Sequence, residues 1–146
     1  MSDQILTSGR PVPEDRSHTE IDPSTGMQRA YIVLSLEERA KGFVKPVRDI
    51  YVHQKCGVRT VMGIALAQTH ARNPRFYSGT FCVGCREHFP LNEFTWDSDG
   101  EPMDPNLQDA WNASRTEREA SAKEQRRQHR ITELRRELAE LEKQAP

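Results

Sequence analysis

The chain is short of apolar bulk. Only 35% of its 146 residues are hydrophobic and 29% are charged, so it can bury little surface for its length. Nowhere do about 18 apolar residues follow one another, the length a membrane-spanning helix needs. The opening MSDQILTSGRPVPEDR has no basic start leading into an apolar run, so no secretory leader is expected. Cysteine is scarce too. Three thiols cannot pair completely, which argues against a secreted disulfide framework and for a reducing cytoplasm. Phosphate-cradling glycine loops and a convincing nucleophile with its base are also missing, and with them any sign of a reaction.

What is present is a metal-ligand pattern. His53-Gln-Lys-Cys56-Gly57 and Cys82-Val-Gly-Cys85 form two short pairs that include every cysteine in the chain. A tetrahedral structural zinc takes four nitrogen or sulfur donors, and a spacing of two residues lets both members of a pair face one ion. Gly57 and Gly84 suit the tight turns this requires. Cys56, Cys82 and Cys85 leave one position open, which His53 fills with matching spacing; His88 and His70 are the alternatives. A catalytic zinc would need an open coordination position and a nearby acid or base, and Glu87 is the one carboxylate close to these ligands in sequence.

Charge is separated along the chain although the net value is only −1. Residues 37–91 carry nine basic and four acidic groups, whereas Glu93, Asp97, Asp99, Glu101 and Asp104 follow without a basic residue. The acidic run can fold back on the basic part or repel nucleic acid from it. Arg39, Lys41, Lys45, Arg48, Lys55, Arg59, Arg72 and Arg75, near Phe76 and Tyr77, form the candidate nucleic-acid surface.

The organisation expected is α+β: a small zinc-stabilised domain of short hairpins and one central helix, then a long C-terminal helix with a short coiled-coil stripe. Residues 1–18 read as a mobile or partner-ordered arm, residues 19–103 as the zinc domain and residues 104–146 as the tail. Asp22–Gly26 carries turn chemistry for a hairpin between Thr19–Ile21 and Ala30–Leu34. Ser35 to Glu38 matches a capping box, with Gly42 placed to end the helix. Val44 to His53 is extended. Val58, Val61, Met62, Ala65, Leu66 and Thr69 recur at helical spacing up to Asn73-Pro74, which puts Cys56 just before a helix whose dipole would stabilise its thiolate. Phe76 to Phe81 reads as a strand.

From Asp104-Pro105 onward no glycine or proline appears until Pro146, so one long helix is expected. Leu107, Ala110, Trp111 and Ser114 make an early stripe. Ile131, Leu134, Leu138 and Leu141 make a second at heptad spacing, the candidate partner-helix surface. With Ile131 and Leu138 at the a positions, a parallel homodimer sets Arg130 against Arg135 and Glu137 against Glu142. Antiparallel pairing instead brings Arg130 toward Glu137 and Arg135 toward Glu142. The many tail arginines alternate with glutamates, as on a solvated helix.

The stretches LSLEERAKGFVKPVRDIYVH, CGVRTVMGIALAQTHARNPRFYSGTFCVGC and HFPLNEFTW resemble a family of small, uncharacterised zinc-knuckle proteins of tailed bacteriophages and prophages. The resemblance implies a phage origin, hence a bacterial host cytoplasm, and brings no established activity. CVGCREHFPLNEF is also similar to the first zinc knuckle of phage endonucleases of the His-Asn-His type. The position before the proline is not a ligand there, which favours His53 over His88. The second cysteine pair and the Asp-His dipeptide of those nucleases are missing. The expected function is therefore a non-enzymatic protein-interaction or assembly module with structural Zn2+, with a nucleic-acid-binding zinc protein as the alternative.

Overall fold

The computed structural model describes residues 3–144 and divides after Gln108 into two units. The first is α+β, and its strands fall into three small antiparallel sheets. β1 (Gln4–Leu6) pairs with β2 (Ile32–Leu34); β3 (Ile50–His53) lies between β4 (Arg59–Val61) and β7 (Phe94–Trp96); β5 (Gly79–Cys82) pairs with β6 (Glu87–Pro90). Among the described residues it also holds the α-helices α1 (Leu36–Arg39) and α2 (Ile64–Arg72) and two short 3-10 turns, Ser17–Thr19 and Leu91–Glu93. The core gathers Tyr51, Met62, Ala67, Cys82, Leu91, Phe94, Trp96 and Met103. Each large apolar side chain fully buried there is worth roughly 1.5–3 kcal/mol.

Several local expectations appear as drawn. Ser35 Oγ accepts from the Glu38 amide and starts α1, and Gly42 follows α1 with φ +115°. Asn73 caps the end of α2. Asp104 Oδ1 accepts from the Asn106 amide where α3 (Pro105–Ala113) begins at a proline.

Other expectations give way. Residues 4–18 are not a free arm: Gln4–Leu6 supply the partner strand for Ile32–Leu34, and His18 is buried. The Asp22–Gly26 turn does form, yet it closes only a single bridge between Ile21 and Gln28, because β2 takes its partner from the N-terminus. The helix between the ligand pairs starts at Ile64 rather than Val58. Residues 59–61 instead form β4, antiparallel to β3, and the buried Thr60 and exposed Val61 alternate as a strand does. Cys56 therefore sits in a strand-to-strand turn and not at a helix start.

The second unit is helical. α4 (Arg115–Gln144) follows α3 with a break at Ser114, across which Ser114 still donates to the Ala110 carbonyl (3.2 Å) and Arg118 to Ser114 (3.1 Å). Arg118 stacks 4.1 Å over the Trp111 ring and donates to the Trp111 carbonyl at 2.8 Å. No residue of α4 is buried. Its surface is laced with pairs three or four residues apart, among them Arg115–Glu119, Glu124–Arg127 and Arg130–Glu133. Leu107, at the start of α3, is exposed, while its neighbour Gln108 is buried and donates to the Pro102 carbonyl at 3.0 Å.

Candidate metal centre

Each ligand pair occupies a hairpin turn, and the two turns have the same construction. In the first, the Gly57 amide donates to the His53 carbonyl (2.7 Å) and Gly57 has φ +73°. In the second, the Arg86 amide donates to the Cys82 carbonyl (2.7 Å) and Arg86 has φ +60°. The residue after each pair thus takes the left-handed conformation, which glycine adopts freely and arginine only at a cost of roughly 1–2 kcal/mol. Gly84 has a different purpose from the one expected of it. A Cβ there would lie 2.8 Å from the Val58 side chain, so Gly84 lets the two turns pack together.

This packing brings four donors to one point. One ligand atom from each of His53, Cys56, Cys82 and Cys85 lies within 4.8 Å of all the others. Cys56 and Cys82 sulfurs are 3.5 Å apart, and Cys85 Sγ is 3.5 Å from His53 Nδ1. The Cys85 amide also points at Cys82 Sγ, at 3.4 Å. A cluster of three sulfurs and one nitrogen of this size is able to hold a metal ion. His88 and His70 lie elsewhere: His88 Nε2 meets the Tyr31 hydroxyl at 2.7 Å, and His70 is buried between Tyr77 and Trp96.

His53 is held on every side. The imidazole is 1% exposed and stacks against both Phe89 and Phe94, with centroids at 4.5 and 4.8 Å. Its Nε2 meets Glu93 Oε1 at 2.9 Å, which turns Nδ1 toward the sulfurs. Pairing of His53 with Phe94 across β3 and β7, and donation from the Gln54 amide to the Glu93 carbonyl (2.8 Å), bring that carboxylate alongside. Accepting from His53, and then from Lys55 at 3.3 Å, holds the Glu93 carboxyl below its ordinary range. A carboxylate behind a metal-ligating histidine fixes its tautomer and raises its basicity. Neither Glu93 nor the two phenylalanines stood out in the sequence. The sole hint was chemical: a ligand histidine wants such a partner, but nothing local says which of the acids supplies it.

The thiols differ in readiness to ionise. The Val58 backbone N–H, more than any other contact, draws Cys56 down to about 7, the part expected of a helix dipole. Desolvation, followed by the neighbouring thiols, pushes Cys85 up to about 11. A cation among them removes this mutual repulsion, because all three sulfurs bind as thiolates.

Each of the eight candidate basic residues has a partner within the chain, while Lys41, Lys55 and Arg59 stay largely exposed. Arg39 is buried, donating to the Leu34 carbonyl (2.9 Å) and to Gln68 (2.8 Å). Arg48 is buried too, paired with Asp99 (2.9 Å) and Glu101 (3.0 Å) and lying 4.7 Å over the Trp96 ring. Lys45 meets Glu101, Lys55 meets Glu93 and Arg59 meets Asp97. Lys41 pairs with Glu38, Arg72 donates to the Gly42 carbonyl and Arg75 to Asn106. The acidic run folds back: the turn at Gly100 (φ +78°) returns the Glu101 carbonyl to the Trp96 amide at 2.9 Å.

No family model matches the chain, and neither a curated protein nor a solved structure is similar to it.

Proposed function

We propose that the chain is a zinc protein whose ion is structural, and that it acts without catalysis as a protein-interaction or assembly module. The convergence of His53, Cys56, Cys82 and Cys85 within 4.8 Å carries this reading. Three soft sulfurs with one imidazole suit zinc above harder cations. Four protein donors complete a tetrahedron and leave no position for a substrate or an activated water. The partner surface is the stripe on α4, where Leu134, Leu138 and Leu141 are 47%, 57% and 64% exposed. Its occupant is a second copy in antiparallel pairing or the helix of another protein. The sequence resemblance supports a phage-encoded factor that engages a host or phage macromolecule. Nucleic-acid binding finds less support, because each of the eight candidate cations already has an intramolecular partner.

Metal analysis of the purified chain is the test. One zinc per chain is expected, falling to a small fraction in Cys82→Ser with the fold lost or loosened. Protein that stays folded and metal-free overturns the reading.

A further inference from the structure

Away from the four donors, the first unit contains a partly enclosed cavity of about 100 Å3 that nothing above uses. Its walls are mainly apolar or aromatic and include Met62, Leu66, Tyr31, Tyr51, Tyr77 and Phe81. The tyrosine hydroxyls are committed elsewhere. Tyr51 donates to the Phe81 carbonyl, Tyr77 to the Ile32 carbonyl, and Tyr31 meets His88.

His70 is the exception. Its imidazole lines the same cavity, is only 6% exposed, and makes ring contacts to Tyr77 (4.7 Å) and Trp96 (5.5 Å) without a hydrogen-bond partner among the described residues. Burial, aided by the Arg48 charge, presses its pKa down to about 4, so near neutral pH it is an uncharged ring. Such a ring offers one donor and one acceptor. With no protein partner, the polar edge of this ring is free to meet a ligand's polar atom where open space reaches it.

We propose that this cavity binds a small neutral aromatic molecule of the phenol class, its ring against the tyrosine and methionine walls and its hydroxyl on His70. Size sets the limit to one ring: an apolar cavity of ~150 Å3 takes up benzene, and this one is smaller but open on one side. Charged ligands are disfavoured because no free counter-charge lines the walls.

Titration of the full-length, metal-loaded chain with phenol and, separately, toluene tests the proposal by NMR. Saturable shifts are expected at Met62, His70 and Phe81, with phenol bound roughly tenfold more tightly than toluene, the worth of about one net hydrogen bond. His70→Leu removes an unpaired polar group, so its melting temperature stays level or rises while the preference for phenol falls to about one. Should that variant fail to fold, His70→Gln keeps a donor and an acceptor and retains a preference. Absence of saturable phenol shifts at these residues, equal affinity for the two ligands in the unaltered chain, or an undiminished preference in His70→Leu overturns the assignment.

Discussion

Replacing Glu93 by Ala removes the acceptor 2.9 Å from His53 Nε2 and leaves every metal donor in place. A hydrogen bond to a charged group is worth roughly 1.5–3 kcal/mol, or about ten- to a hundredfold in an equilibrium constant. Carboxylate partners of metal-bound histidines fall in the same range of ~10–100-fold. Two features pull the expected value toward the lower end. Glu93 is 17% exposed and shared with Lys55, and stacking on Phe89 and Phe94 keeps the imidazole in its plane without help. About a tenfold loss of zinc affinity is expected for Glu93→Ala, and roughly threefold for Glu93→Gln, which keeps a neutral acceptor. Competition against a chromogenic chelator at fixed pH measures both. Unchanged affinity in Glu93→Ala would refute the reasoning, as would a Gln variant no better than the Ala variant.

Leu substituted at Glu101 leaves buried Arg48 with only the half-exposed Asp99 as its partner; stability should fall by roughly 3 kcal/mol, and Arg48→Met in the same chain should restore much of it, as seen in denaturant melts. His70 has a folded pKa of about 4 against 6.5 for the free side chain, so the unfolded chain takes up a proton first as pH falls. Stability present above pH 6.5 is therefore lost progressively toward pH 4, by about 3 kcal/mol in all. His70→Gln should lose less stability over this window than the unaltered chain, and parallel pH curves for the two would contradict the assignment. Glu at both Leu134 and Leu138 should abolish concentration-dependent association in sedimentation while helicity is kept; unaltered association would remove the stripe as the interface.

The metal cluster was legible because its geometry is local. Two residues between ligands make a turn whatever surrounds it, so His53–Cys56 and Cys82–Cys85 announced themselves. The Ser35 cap of α1 and the acid-proline start of α3 were readable for the same reason, although Glu38 turns to Lys41 instead of back to the Ser35 amide. What failed depended on pairing at long range. Residues 58–62 have apolar spacing that suits a helix, yet β3 offers them a ladder of hydrogen bonds and a buried place for Thr60, and the strand wins. Gln4–Leu6 look like part of a polar arm until Ile32–Leu34 supply a partner. The acid run's opposite charge left a return to the basic segment as one of two outcomes, and said nothing of Arg48 being buried by it, which also takes the Trp96 face and the turn at Gly100. Glu93 stayed hidden because it reaches His53 only through the register of β7 on β3.

The Asp22–Gly26 turn rests directly on the second ligand turn. Arg86 donates to the Ser24 carbonyl, and a Cβ on Gly26 would fall 2.2 Å from the Arg86 carbonyl oxygen. The early part of the chain is thereby tied to the turn that carries Cys82 and Cys85. If the four donors hold a metal, its removal would loosen the turn that the left-handed Arg86 closes, and with it the segment around Gly26 that rests there.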